Sequence, residues 1–161
     1  MELSMRRQRA RFKIGSTAVI LAVMGIGIST AVLAQPETAT LTIRVTGVRN
    51  NKGRIALALF QGETGFPGDA SKAVCLQQAE IDARTGSARF VLQGVPYGQY
   101  AVSIFHDENM NGKLDKNFVG APKEGYGASN NPRKRMGPPP FDEAKFSLNQ
   151  PAQFIEIKLM Y

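Results

Sequence analysis

Gln99-Tyr100-Ala101-Val102-Ser103-Ile104-Phe105-His106-Asp107-Glu108-Asn109-Met110-Asn111-Gly112-Lys113-Leu114-Asp115 is two patterns joined at one point. Up to His106 the residues alternate, with Tyr100, Val102, Ile104 and His106 on one face and Ala101, Ser103 and Phe105 on the other. That period of two predicts a half-buried β-strand. From Asp107 onward, oxygen-bearing side chains stand at every second position, Asp107, Asn109 and Asn111, followed by Gly112. This is the opening of a calcium-binding loop: side chains 1, 3 and 5 converge and the glycine allows the sharp turn. The Lys113 carbonyl and Asp115 complete a candidate ligand set of Asp107, Asn109, Asn111, Lys113 and Asp115, with Glu124 or water beyond it. Position 12, where an EF-hand places a bidentate glutamate, is Phe118. Calcium held this way would be weakly bound, in the extracellular range of about 10⁻⁴–10⁻³ M. The alternative needs no ion, because Asp and Asn before glycine also close Asx-turns on their own backbone amides.

Outward from this stretch the same two signals repeat. Leu41, Ile43 and Val45 alternate with Thr40, Thr42 and Arg44, and Ile55, Leu57 and Leu59 alternate with Ala56 and Ala58. The Asn50-Asn51-Lys52-Gly53 segment between them predicts a turn, so the two runs read as a hairpin. Gln61 to Ala70 is a loop in which Phe66 is a lid or an anchor. Residues 72–81 suit a short helical turn leading into a strand, and Ala88, Phe90 and Leu92 mark another strand. The Gly94-Val95-Pro96-Tyr97-Gly98 segment reads as a tight turn. Residues 107–140 are rich in glycine, proline and asparagine, too long for an ordinary connection and so functional or disordered. Strand patterning resumes over 141–148 and 152–160. About seven short strands with turns between them predict an all-β protein, a single antiparallel β-sandwich with one long loop. A closed barrel is the alternative.

The N-terminus is a different kind of segment. Arg6, Arg7, Arg9, Arg11 and Lys13 precede an uncharged run to Leu33, and Val32-Leu33-Ala34 ends it with small residues where a signal peptidase reads. The pattern predicts a signal peptide over 1–34 cleaved after Ala34, a lead-in over 35–39 and the sandwich over 40–161. An uncleaved anchor is the alternative. Of the formal net charge of +7, the leader carries +4. What remains is weakly basic, so the composition argues against a nucleic-acid partner, which needs a clustered basic face. Membrane contact is expected only through the signal segment before cleavage, and the location is periplasmic or secreted. Cys75 is the single cysteine and is expected to be a small apolar residue of a half-buried strand, not a nucleophile.

His106 is also single. Asp107 beside it points to the opposite face of a strand, and Ser103 does not share the histidine's face, so no catalytic couple is legible. Arg133-Lys134-Arg135 reads as a solvated loop tip. Tyr126, between Gly125 and Gly127, suits stacking on a sugar or packing on the sandwich edge. Together His106, Glu124, Tyr126, Ser129, Asn130 and Asn131 form the candidate binding surface.

These residues carry a resemblance. His106-Asp107-Glu108-Asn109, Asn111-Gly112-Lys113-Leu114-Asp115, Asn117, Gly120, Pro122, Glu124-Gly125-Tyr126-Gly127, Ser129-Asn130-Asn131 and Gly137-Pro138-Pro139-Pro140-Phe141 resemble the hallmark segment of the bacterial secreted domain-of-unknown-function family DUF2141. Gly98 to Val102 and Ile155 to Leu159 fit it too. Ala128 departs from it, because an aromatic is common there. The resemblance implies export and a transthyretin-like seven-stranded sandwich, and it implies no reaction. The turn before Tyr100 is also similar to carboxypeptidase regulatory-like domains. The functional expectation is an exported, non-enzymatic binding or structural module with a candidate calcium-stabilised loop, its partner an envelope protein or a glycan. A cell-envelope carbohydrate-binding module is the alternative. A small hydrolase of transthyretin-like fold stands third, since such enzymes use several histidines.

Overall fold

Alternating apolar residues make strands that must bury one face, and here two sheets bury them against each other. The computed structural model describes residues 37–132 and 137–161. The predicted signal peptide and the Arg133-Lys134-Arg135 tip lie outside the described residues. The strands are β1 (Thr38–Thr46), β2 (Arg54–Phe60), β3 (Cys75–Ala79), β4 (Ala88–Pro96), β5 (Gly98–Asp107), β6 (Tyr126–Ala128), β7 (Phe146–Leu148) and β8 (Ala152–Lys158). One sheet has the order β4-β1-β8; the other has the order β3-β2-β5-β6, with β7 pairing the start of β5.

The inward rows are those expected from the alternation. Leu41, Ile43 and Val45 of β1, Phe90 and Leu92 of β4, and Ile157 of β8 meet Ile55, Leu57 and Leu59 of β2 and Tyr100, Val102 and Ile104 of β5 in one apolar core. Full burial of each such side chain stabilises by about 1.5–3 kcal/mol, so this layer dominates the stability of the fold. Tyr100 is buried with its hydroxyl donating to the Pro96 carbonyl at 2.9 Å, which satisfies its one polar atom.

Several expectations need correction. β1 and β2 are not a hairpin: β1 pairs with β4 and β8, β2 with β3 and β5, so the two lie in opposite sheets. A row of apolar residues states which face is buried, not which strand lies beside it. The β1–β8 pair is parallel, joining the first and last strands; parallel neighbours need a long crossover, and here nearly the whole domain supplies it. β1 begins at Thr38, two residues before the expected start of the sandwich. The turn expected over 94–98 is instead the end of β4, with the chain turning only at Tyr97. Residues 141–148 are not one strand but a helical turn, α1 (Phe141–Ala144), followed by β7. Asp142 and Glu143 suit the first turn of a helix, and Phe141 and Ala144 at i,i+3 share its inward side.

On the outer side of the larger sheet, Ala101, Ala128 and Ala144 form a second small apolar cluster under Phe66 and Phe141. Phe66 stands edge-on to Phe60 at 5.4 Å and to Phe141 at 5.7 Å. It therefore anchors the 61–70 loop. Cys75 is half-buried against the main core, and burial pushes its thiol pKa up. It behaves as an apolar filler.

Candidate functional site

At the end of β5 the alternation breaks, and three successive side chains each tie down a different part of the chain. His106 is fully buried. Its Nε2 lies 2.7 Å from the Lys52 carbonyl and its Nδ1 lies 2.9 Å from the Tyr161 hydroxyl. A carbonyl only accepts, so Nε2–H donates to Lys52; in the neutral imidazole Nδ1 then accepts the Tyr161 O–H. The Tyr161 oxygen in turn accepts the Arg49 backbone N–H at 3.0 Å. Burial pushes the phenol pKa up, which keeps its proton available for the histidine. The Arg49 guanidinium sits over the same ring, 4.5 Å from its centroid.

Two glycines make this approach feasible. Gly53 has φ +66, and a Cβ there would stand 1.9 Å from the Asp107 carbonyl oxygen. At Gly125 a Cβ would fall 2.5 Å from the Tyr161 ring, while its carbonyl accepts the His106 N–H at 2.7 Å. Any side chain at either position would push the hub apart.

Asp107 is fully buried, and its carboxylate folds back on its own loop. One oxygen accepts the Asn111 N–H and the other the Gly112 N–H, both at 2.9 Å. Arg54 Nε stands 3.9 Å away, supplying charge without a hydrogen bond. Glu124, also buried, performs the matching task at the far end: it accepts Glu108 N–H and Asp115 N–H, both at 2.9 Å. Two carboxylates thus hold four backbone amides and brace the 107–124 segment from both sides. Hydrogen bonds to charged acceptors contribute about 1.5–3 kcal/mol each, enough to order a loop with little apolar burial.

Glu108 completes the hub. Its carboxylate accepts the Asn50 side-chain amide at 2.9 Å and lies 2.6 Å from the Arg49 guanidinium. Burial pushes its pKa up, but the Asn50 and Arg49 contacts outweigh burial and hold it below the ordinary value. Arg49 and Tyr161 also carry the hub, and neither stood out in the sequence, because the contact between them spans 112 residues.

The candidate calcium ligands are engaged with one another. Asn109 Oδ1 accepts Asn111 N–H at 3.1 Å and Asn111 Oδ1 accepts Lys113 N–H at 2.8 Å, both Asx-turns. The Asn109 and Asn111 amide nitrogens donate to the two Asp115 oxygens at 2.8 and 3.0 Å. Each Asp115 oxygen is thus met by an amide N–H of the same loop. Among the described residues no cluster of three or more His, Cys, Asp or Glu side chains is placed to hold a metal.

The candidate binding surface divides in a similar way. His106, Glu124 and Ser129 are buried. Ser129 continues the β6 edge: its N–H donates to the Val102 carbonyl and its Oγ accepts Val102 N–H while donating to the Ala144 carbonyl at 2.6 Å. Asn130 donates to the Lys145 carbonyl at 2.8 Å. Asn131 caps the open edge of β8, accepting Lys158 N–H at 2.7 Å and donating to the Glu156 carbonyl at 2.9 Å. Tyr126 is half-buried, its backbone paired on one side with Phe105 and on the other with Met160, which laces the two sheets together at that edge.

This geometry defines a class, a β-sandwich in which a His-Asp-Glu run, its His106 and Asp107 buried, organises one long loop. The chain belongs to the family described as "Uncharacterized protein conserved in bacteria (DUF2141)", which matches residues 43–156. No curated protein and no solved structure matches the chain.

Proposed function

We propose that the chain is an exported, non-enzymatic binding or structural module of the bacterial envelope, and that its 107–131 segment is a rigid display edge. One observation supports this most: Asp107 and Glu124, buried at the two ends of the loop, hold four of its backbone amides and give it a fixed shape. The arrangement favours a structural role for His106, since both ring nitrogens bond within the chain and the side chain is closed to solvent. The sugar-binding alternative has less support, because the amide groups of Asn130 and Asn131 are already engaged within the chain.

Calcium is not required for this reading. The loop's acceptors are met by its own N–H groups, so the fold should melt at the same temperature with millimolar calcium as with a chelator. A calcium-specific rise in melting temperature, absent with magnesium, would replace the self-supported loop by an ion-supported one. The direct test of the display edge is Glu124→Ala, which should loosen residues 108–124 in amide exchange while the core strands stay protected. Unchanged exchange across that loop would refute the role given to the two carboxylates.

A further inference from the structure

The braced loop carries its most exposed apolar groups at its tip. Phe118 is 100% exposed and the adjacent Val119 is 71% exposed. Single exposed apolar residues are ordinary on protein surfaces, so exposure alone decides nothing. What sets this pair apart is the turn that presents it. Asn117 Oδ1 accepts both Val119 N–H at 3.1 Å and Ala121 N–H at 2.9 Å. The backbone closes the same turn through Asn117 N–H to the Ala121 carbonyl and Gly120 N–H to the Asn117 carbonyl. Below it, Lys116 pairs with Pro122, and Lys123 N–H donates to the Asp115 carbonyl, whose own N–H is held by Glu124. A short two-armed ladder therefore stands on the buried hub and holds two apolar side chains in water.

The charge around the tip is basic. Lys113, Lys116 and Lys123 are exposed, and among the described residues no ion pair engages them. The half-buried Asp115 carboxylate beside them accepts the Asn109 and Asn111 amides.

We propose that the Asn117–Ala121 turn is a membrane-contact element, placing Phe118 and Val119 in the interface of an anionic lipid bilayer with Lys116 and Lys123 against the headgroup phosphates. Size favours lipid over protein. A specific protein interface buries on the order of 1,200–2,000 Å², far more than two side chains on a narrow turn supply. Interfacial lipid contact needs only shallow apolar insertion joined to basic attraction, the two signals that this tip combines. The contact would be separate from the leader and rests on reading the 107–131 segment as a display edge.

The chain has no tryptophan, so Phe118→Trp in the full chain installs a single reporter at the tip. With vesicles containing phosphatidylglycerol, its emission should shift to the blue and be quenched by brominated acyl chains. Phosphatidylcholine vesicles should give a much smaller shift, and adding Lys116→Glu and Lys123→Glu should weaken binding about tenfold or more. Phe154→Trp, on the outer face of the smaller sheet and 61% exposed, is the control for adsorption through the leader and should not shift. Both positions are exposed, so folding is preserved, and a matching melting curve verifies it; Val119→Trp replaces the tip variant if Phe118→Trp fails. No shift at the tip with phosphatidylglycerol vesicles overturns the lipid contact, and a persistent loss of loop protection in Glu124→Ala would show that the display edge itself stands. A tip signal that appears only with lipid-free envelope proteins also overturns it, in favour of a protein partner.

Discussion

Two long connections leave the larger sheet, and they are held by opposite means. The 61–74 connection folds over the outer side of the sheet and anchors itself through Phe66, wedged between Phe60 and Phe141. The 108–125 connection anchors itself through Asp107 and Glu124, both buried, and leaves Phe118 entirely in water. The first uses apolar burial to hold a loop down. In the second, polar groups do the holding, so the apolar residues are free to face outward.

The sharpest way to break this contrast is Asp107→Ala. It strands the Asn111 and Gly112 amides and removes the carboxylate facing Arg54, so chemical denaturation should show a loss of about 3–5 kcal/mol. A loss below about 1 kcal/mol would mean that the loop is held by something else. Phe66→Ala tests the other side, with an expected loss of about 2–3 kcal/mol that leaves amide protection in residues 108–124 untouched. Coupling between the two variants in a double-mutant cycle would show that the loops are not independently anchored.

Acid should act on the polar anchor through Glu108. Glu108 has a folded-state pKa below its ordinary 4.5, so its stabilising contribution is present above that value and is lost as pH falls through the depressed one. Glu108→Gln should flatten the acid side of a plot of melting temperature against pH. The residual slope belongs to groups such as Asp69, lowered by its hydrogen bond from the Ser71 hydroxyl, and Asp82, lowered by the Arg84 N–H. An identical slope in the variant would remove Glu108 from the hub. The smallest effect belongs to Phe118→Ser. A wholly exposed ring supports nothing within the chain, so stability should change by less than about 0.5 kcal/mol. A larger loss would place the ring in a packed position and undo the contrast between the loops.

Much of this was legible in residue order, and the limits have physical causes. The inward rows of β1, β2, β4 and β5 follow from alternation, because neighbouring side chains on a strand point to opposite faces. The turn at Asn50–Gly53 and the Asx-turns after Asp107 follow from local chemistry, since their donors and acceptors lie within a few residues. Sheet membership was not legible. β1 and β2 look like hairpin partners because both show one apolar face, and only packing assigns them to opposite sheets. Residues 141–144 carry an i,i+3 apolar pair too short to be told from strand alternation.

By itself, then, the sequence determined an all-β chain and the location of its core faces, both of which depend on contacts between near neighbours. The tertiary structure decided that His106, Asp107 and Glu108 form a hub, because their partners Lys52, Arg49, Asn50, Glu124 and Tyr161 come from distant stretches of the chain. It also decided what became of Phe118: the position where a calcium loop would carry a glutamate instead presents a bare aromatic ring to solvent. A residue's type is local, whereas its burial depends on everything folded around it.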